Sequence, residues 1–206
     1  MLSGNSLQFI GQDIDVVQTI PLPPTLVNNM EVVNKDGLYT LITDWVKART
    51  YTNTNILLLL APDLCFYHQF VNIEQDKVDS ETLQFLDTVP FESVLSRTYA
   101  LGEGRQIIAA NKDLVMALVQ GFTLHGYTTK VVVPAILAQA ETGLTPEVEN
   151  YAFKHLTELT RDSLISEVAP VVSSVAKPKP KSSLPLLLSV FGVLLAILVI
   201  VIVLSK

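Results

Sequence analysis

Residues 105–138, RQIIAANKDLVMALVQGFTLHGYTTKVVVPAILA, decide the fold class of this chain. A short apolar strand runs into Asn111, whose side chain can accept hydrogen bonds at the start of a helix. The helix repeats its apolar residues every three or four positions, at Leu114, Val115, Leu118, Val119 and Phe122. Gly126 is suited to end the helix, and Pro134 closes a second apolar strand. The succession of strand, helix and strand predicts an α/β fold.

The chain on either side of this stretch continues the alternation. The predicted elements before it are a strand around residues 13–17, a helix from Lys35 to Arg49 capped by Asn34, an aliphatic strand at 56–61, a strand at 65–71, a helix begun by Asp79 or Ser80 and ended by Pro90, and a strand pair at 95–101 and 105–110. A short helix from Pro134 to Gly143 and a long one from Pro146 to about Ser166 are predicted after it. Because some neighbouring strands have no helix between them, we expect a mixed rather than a purely parallel sheet.

The C-terminal residues 184–204, LPLLLSVFGVLLAILVIVIVL, carry no charged side chain. A helix of 21 residues spans about 30 Å, which is the thickness of the hydrocarbon core of a bilayer. We therefore expect a single transmembrane helix; a buried or oligomer-packed helix is the alternative. Because only Ser205 and Lys206 follow, the sequence predicts a tail anchor.

Four segments follow from these patterns. They are an α/β domain at 1–143, a connecting helix at 144–169, a Pro/Lys/Ser linker at 170–183 that contains KPKPKSS, and the transmembrane helix at 184–204. We find no secretory signal at the N-terminus, so the α/β domain is expected to be cytoplasmic. The single cysteine, Cys65, excludes an intramolecular disulfide and is typical of a reducing compartment.

Lysines flank the predicted span unequally. Lys177, Lys179 and Lys181 precede it, whereas only Lys206 follows it. An excess of Lys and Arg marks the cytoplasmic flank, and such lysines also attract anionic lipid. The sequence thus predicts a single-pass protein of the inner (plasma) membrane that contacts membrane lipid.

The charge balance argues against nucleic-acid binding. The formal net charge is -6, and outside the tail no cluster of Lys and Arg is present in the sequence. Affinity for a phosphate backbone comes from such clusters. We therefore expect no nucleic-acid partner.

No constellation in the sequence has recognisable catalytic chemistry. The Gly-Glu-Gly at 102–104 lies between two strands, which favours a hairpin turn over a phosphate loop. Asp13 and Asp15 point the same way from one strand, an arrangement more typical of a solvent-facing strand edge than of a cation site. The three histidines, His68, His125 and His155, are scattered without metal-ligand spacing. Trp45 is expected in the core. The sequence predicts no catalytic residue, no metal site and no cofactor.

Four stretches, taken in order, resemble one protein family. They are IPLPPTLVNNMEVVNKDGLYTLITDWV at 20–46, NILLLLAPDLCFYHQF at 55–70, ETLQFLDTVPFE at 81–92 and the strand–helix–strand at 105–138. Together they resemble the PilM family, the actin-like cytoplasmic proteins of type IV pilus assembly, which are akin to the cytoplasmic part of the GspL platform protein of type II secretion. The resemblance implies an actin-like, ribonuclease H-like fold and inner-membrane platform proteins of pili or secretion systems as partners.

The chain departs from this family at two points. The family has a phosphate turn of the form D-I-G-S/T on its first strand, whereas Asp13-Ile14-Asp15-Val16 contains neither glycine nor hydroxyl. Only about the first half of an actin-like chain is present before the linker. The resemblance therefore implies a half actin-like domain that serves as a non-catalytic, tail-anchored docking scaffold. Two alternatives are a nucleotide-hydrolysing half completed by a partner chain, and a tail-anchored adaptor of the membrane-fusion type.

Small residues within the predicted span suggest one further interaction. Ser189, Gly192 and Ala196 occupy one face of the helix, and such faces let two spans approach closely. Self-association into a homo-oligomer, or pairing with a partner's span, would use this face. An ordinary lipid-facing span is the alternative, because 197–204 is bulky.

Overall fold

A computed structural model describes residues 1–11, 14–49, 55–70, 75–101 and 104–166, all within the compact unit Met1–Val175. Its strands are β1 Leu2–Ser3, β2 Ser6–Gly11, β3 Ile14–Pro21, β4 Val27–Asn28, β5 Glu31–Val32, β6 Asn55–Leu60, β7 Cys65–Phe70, β8 Val94–Leu101, β9 Gly104–Asn111 and β10 Thr128–Pro134. Its α-helices are α1 Lys35–Lys47, α2 Gln75–Thr88, α3 Lys112–Thr123, α4 Pro146–Lys154 and α5 Leu156–Arg161. Two short 3-10 helices, Pro62–Leu64 and Ala135–Ala138, complete the described secondary structure.

The central sheet is mixed, as the sequence predicted. Its strand order is β10-β6-β1-β2-β3, in which β1, β2 and β3 are antiparallel neighbours. The strands β6 and β10 then add to β1 in parallel. β6 and β10 are runs of aliphatic residues because helices cover both faces of the sheet there.

A smaller antiparallel sheet, in the order β7-β9-β8, is inserted between β6 and α3. In it Leu101 pairs with Gly104, which confirms the predicted hairpin. α2 packs on this sheet through the buried Val78 and Leu86. α2 already begins at Gln75, ahead of the predicted cap at Asp79 or Ser80.

The helices enclose the central sheet from both sides. α1 and α3 cover one face, where Ile42 and Leu118 are buried. They approach closely because Gly121 carries no side chain: a Cβ there would lie 2.5 Å from Ile42 Cδ1. The second 3-10 helix, α4 and α5 cover the opposite face, around the buried Val133 and Leu159.

The predicted helix from Pro146 to about Ser166 is two helices. α4 ends at Lys154 because His155 leaves helical geometry, with φ -105° and ψ 19°. α5 follows and ends at Arg161. The apolar repeat that suggested one helix persists across the break, since both pieces face the same sheet.

The segment after α5 connects the two sheets. The buried Ser163 accepts a hydrogen bond from the Val132 N–H at 2.9 Å on β10. Its carbonyl oxygen accepts one from Arg97 on β8 at 3.1 Å. The chain is therefore fixed to both sheets just before the undescribed residues begin.

Residues 167–206, with the predicted linker and span, lie outside the part of the chain described. Within that part, no helix has both the length and the apolar character needed to cross a bilayer.

Candidate functional site

An apolar cavity opens in the middle of the central sheet, between β2 and β6. Its volume is about 180 Å³. β1, the strand between them, pairs with β6 where Leu2 lies opposite Leu60. Along the rest of β6, no strand of the described chain fills the space on this side.

The wall on the side of α1 and α3 is aromatic. The rings of Phe9 and Trp45 stack with centroids 4.1 Å apart, and Phe122 meets both rings edge-on. Such pairs prefer stacked or edge-to-face geometry and pack rigidly. The prediction that Trp45 lies in the core is confirmed, since only 8% of it is exposed.

The wall on the opposite side is aliphatic and belongs to α4. Val148 and Ala152 line it, with Leu144 from the preceding loop. Phe153, which is 51% exposed, also lines the cavity and carries its apolar character out to the surface. An apolar ligand could thus bury its surface on both sides of the sheet.

Polar groups form the smaller part of the cavity lining. The Gln8 side-chain oxygen accepts a hydrogen bond from the Leu144 N–H at 3.3 Å, which connects β2 to the loop before α4. Asn55, Tyr127, Thr129 and Glu149 also lie on the lining, as does Met1, whose N-terminal amine donates to the Gln8 carbonyl at 2.6 Å. In the described part of the chain, no group of three or more His, Cys, Asp or Glu could hold a metal ion. The site therefore favours apolar recognition.

A second feature is the turn between β1 and β2. The first strand is Leu2–Ser3. The residues compared above with the family's phosphate turn come later in the chain, since Ile14 begins β3. The turn after β1 contains Gly4, whose N–H donates to the Asp63 carboxylate at 2.8 Å. The Ser3 and Ser6 hydroxyls bond to each other at 2.8 Å. An acidic side chain thus occupies the position in front of the turn amide.

The three histidines stay apart and each has its own partner: His68 lies near Glu81 at 3.5 Å, His125 bonds to Thr43 at 2.8 Å, and His155 bonds to Glu158 at 2.9 Å. The structure brings none of them together with another.

Cys65 is in an environment that suppresses its reactivity. Burial raises the pKa of its thiol to about 12, a contact with Tyr67 opposes the shift, and the nearby Asp63 carboxylate adds to it. The thiolate is the reactive form, so the thiol is inert near neutral pH. Burial likewise raises the pKa of the Tyr99 hydroxyl, which donates to the Asp162 carbonyl at 3.1 Å.

The functional residues predicted for the membrane region lie outside the described residues. They are the flanking lysines Lys177, Lys179, Lys181 and Lys206 and the small-residue face of Ser189, Gly192 and Ala196. The side chain of Asp15 and all of Asp13 also lie outside them.

The cavity was not predicted from the sequence. Its lining comes from seven different elements, and the gap depends on which strands pair. The one local signal was aromatic: Phe9, Trp45 and Phe122 are large residues on three elements that share a face.

Several solved structures are similar to this chain, among them the following two. One is a PilM-PilN type IV pilus biogenesis complex, at 18% identity and a TM-score of 0.42, covering 65% of this chain and 45% of that chain. The other is the cytoplasmic domain of EpsL, an inner membrane component of the type II secretion system of Vibrio cholerae, at 13% identity and a TM-score of 0.37, covering 66% and 55%. The chain thus spans about half the length of each. No protein-family model and no curated protein matches it.

Proposed function

We propose that this protein is a non-catalytic, tail-anchored platform that docks components of a type IV pilus or type II secretion apparatus at the cytoplasmic face of the inner membrane. The observation that carries the proposal is the apolar cavity of the central sheet, with Phe153 exposed at its rim. A cavity with these walls suits the recognition of apolar protein segments, and interfaces are enriched in such aromatic anchors.

The strand order supports a half actin-like, ribonuclease H-like assignment. Three antiparallel strands, β1 to β3, are followed by the parallel β6 and β10, with helices on both faces. The resemblance of the sequence to the PilM family implies this layout for the first half of an actin-like chain. A nucleotide site of that fold closes between two halves, so one half would supply a docking surface without the whole site.

The turn after the first strand supports the absence of nucleotide chemistry. The Gly4 N–H would be the donor to a phosphate there, and it is bonded to the Asp63 carboxylate. A carboxylate in that position repels a phosphate and competes for the same amide.

The membrane attachment rests on the sequence. The apolar residues 184–204 would form the span, and Lys177, Lys179 and Lys181 would face anionic lipid on the cytoplasmic side. The described chain ends at Ser166, shortly after Ser163 is fixed to both sheets, so the domain would be held to the membrane through its core.

Thermal unfolding in the presence of ATP and Mg²⁺ tests the proposal that the protein is non-catalytic. A ligand of the native state raises its melting temperature in a saturable manner. We expect no shift in the full chain, nor in an Asp63→Glu control that keeps the carboxylate. Saturable stabilisation of the wild type would overturn the proposal.

Membrane fractionation and a two-hybrid assay test the platform. We expect the full chain in the membrane fraction, with an N-terminal reporter protected from external protease, and interaction with inner-membrane platform proteins encoded in the same genome. An externally accessible reporter, or no interaction with any of them, would contradict the proposal.

A further inference from the structure

We propose that residues 162–165, the latch, hold the three-stranded sheet β7-β9-β8, the small sheet, in one orientation on the central sheet, and that opening of the latch lets the small sheet turn as a unit. The latch directly follows α5. The inference rests on the proposed function only for what would act on the latch, because the predicted linker and span come after it in the sequence.

The latch is attached to the central sheet by two consecutive residues. The Ser163 hydroxyl lies between the N–H and C=O of Val132 on β10, at 2.9 and 3.3 Å. The Leu164 N–H donates to the same carbonyl at 2.7 Å. Both latch residues are buried, and Leu164 belongs to the core cluster that contains Leu58 of β6. The latch is therefore part of the central sheet's side of the junction.

Two side chains of β8 bind the other side of the latch, and both of them bond to backbone carbonyls. Arg97 donates to the Ser163 carbonyl at 3.1 Å, and the Tyr99 hydroxyl donates to the Asp162 carbonyl at 3.1 Å. Arg97 also lies 3.9 Å from the Asp162 carboxylate. Because hydrogen bonds from a charged donor are stronger than neutral ones, Arg97 is the main group that holds the small sheet to the latch.

The small sheet is fixed at its base and braced farther out. At the base, Asn111 lies opposite Val94, and its side chain bonds to the Met30 carbonyl. Arg97 and Tyr99 lie three and five residues along β8 from Val94, which places them about 10 and 16 Å from the base. Bonds at that distance resist rotation of the sheet about its base with a longer lever arm than bonds at the base itself.

The small sheet is built to move as one body. β9 pairs with β7 over six positions and with β8 over eight, and α2 packs on the sheet through the buried Val78 and Leu86. The 3-10 helix Pro62–Leu64 joins β6 to β7, so it would serve as a pivot together with Asn111. Since Ile108 on the inner face belongs to the main core cluster, the motion is a small turn with the two sheets still in contact.

The chemistry of the latch favours reversible opening. Its bonds to β8 come from two side chains, whereas a paired strand would add a ladder of backbone bonds. The Asp162 carboxylate is shared, because Arg161, whose side chain is 74% exposed, approaches it at 3.4 Å. When Arg97 leaves, Arg161 and solvent still compensate that carboxylate, so opening leaves no isolated charge on the latch.

Distances between two spin labels measure the turn in the full chain in lipid nanodiscs. The labels are attached at Ala100→Cys on β8 and Thr19→Cys on β3, both exposed positions, in a Cys65→Val background. Ala100 is six residues from Val94, or about 20 Å from the base, so a turn of about 15° moves it by up to about 5 Å. We expect one narrow distance with Arg97 present, and a second population displaced by about 3 Å or more in Arg97→Gln.

Two further arginine variants are matched controls. Arg97→Lys keeps a charged donor on β8 and should restore the single distance. Arg161→Gln removes the exposed arginine beside the same carboxylate and should also keep the single distance, because the bond of Arg161 to Asp162 does not reach β8. A general effect of removing an arginine from this region would instead appear in both Gln variants.

Hydrogen exchange in the wild type distinguishes a latch from a static brace. Amides that exchange by local opening are insensitive to low urea concentrations, whereas those that need global unfolding follow urea. We expect the amides of 163–165 to exchange about tenfold or more faster than those of β9 and to be independent of urea at low concentration. This measurement needs no variant, so the test survives if Arg97→Gln does not fold.

Three results would overturn the inference: the same distance distribution in Arg97→Gln as in the wild type, failure of Arg97→Lys to restore the single distance, or exchange at 163–165 that follows urea in step with β9. The last result would make the segment a static part of the core. None of these measurements involves pilus or secretion proteins, so the latch and the platform proposal can fail independently.

Discussion

Strand pairing ends at two places in this domain. At the first, the chain supplies hydrogen-bond partners for the backbone groups, and at the second the described chain supplies no paired strand. At the end of β9, the Asn111 side-chain oxygen accepts from the N–H groups of Asp113 and Leu114 at 2.8 and 3.2 Å. Its amide donates to the Met30 carbonyl at 2.9 Å. Beside Leu57, by contrast, no strand of the described chain pairs with β6 on the side of β1. The closed region around Asn111 therefore has a structural role, whereas the open region between β2 and β6 contains the apolar cavity.

Truncating a side chain in each region should give the largest contrast. Ile108→Ala removes a fully buried side chain from the closed region and should lower the free energy of unfolding by about 3 to 4 kcal/mol. Ile10→Ala removes a half-buried side chain beside the cavity. Because folding removes only part of that side chain from water, its loss should lower the free energy of unfolding by about 1 kcal/mol or less. Urea denaturation measures both. Equal losses would mean that the region beside the cavity is packed as tightly as the core.

The next largest effect concerns Asn111 itself. Asn111→Ala deletes the cap of α3 and leaves the Met30 carbonyl without its partner, which should cost about 2 to 3 kcal/mol. Asn111→Asp keeps the acceptor and loses only the donor, so about half of that loss is expected. If Asp and Ala cost the same in urea denaturation, the bond to Met30 alone stabilises the junction.

Ser163 tests whether the closed region extends to the edge of the sheet. Its hydroxyl lies between the N–H and C=O of Val132 and is fully buried, so Ser163→Ala should cost about 1 to 2 kcal/mol. Thr160→Ala removes an exposed hydroxyl from α5 and should be within about 0.5 kcal/mol of wild type. Thermal unfolding of the two variants compares them. A neutral Ser163→Ala would show that the hydroxyl adds nothing to the backbone bonds of this segment, such as the bond from Arg97 to the Ser163 carbonyl.

Sequence reasoning succeeded where the deciding signal is local. The caps Asn34 and Asn111 were predicted and are confirmed, because a cap and the backbone N–H groups that donate to it lie within three residues of each other. The mixed sheet followed from strands without an intervening helix. Leu2–Ser3 was missed because two residues are too few to show periodicity, and the break at His155 was missed because the apolar repeat passes through it.

The candidate site could not be predicted for a different reason. The contact between Gly4 and Asp63 joins residues 59 positions apart, and no local pattern encodes it. The cavity is a gap in pairing between strands that are distant in sequence. Both depend on the order of strands in the sheet, which hydrophobic periodicity does not specify.

Alkaline pH should weaken the closed region through Cys65. Its thiol has a pKa of about 12 in the folded protein, against 9.0 when unperturbed. The unfolded chain therefore releases this proton first, and stability is lost as pH rises from about 9 towards 12. Between pH 8 and pH 10 we expect a loss of about 1 kcal/mol that is absent in Cys65→Val, measured by urea denaturation. An identical decline in the variant would assign the effect to tyrosines such as Tyr99.

The smallest effect compares two glycines. Gly126 ends α3 with φ +82°, a conformation that strains any side chain, so Gly126→Ala should lower the free energy of unfolding by about 1 kcal/mol. Gly11 lines the cavity and does not have a positive φ. A Cβ added there would touch nothing within 4 Å. Gly11→Ala should therefore be neutral or stabilise by about 0.5 kcal/mol, because alanine restricts the unfolded chain. Differential scanning calorimetry resolves this difference. If Gly11→Ala destabilises as much as Gly126→Ala, the space beside Gly11 is occupied in the folded protein, and the cavity between β2 and β6 does not extend to it.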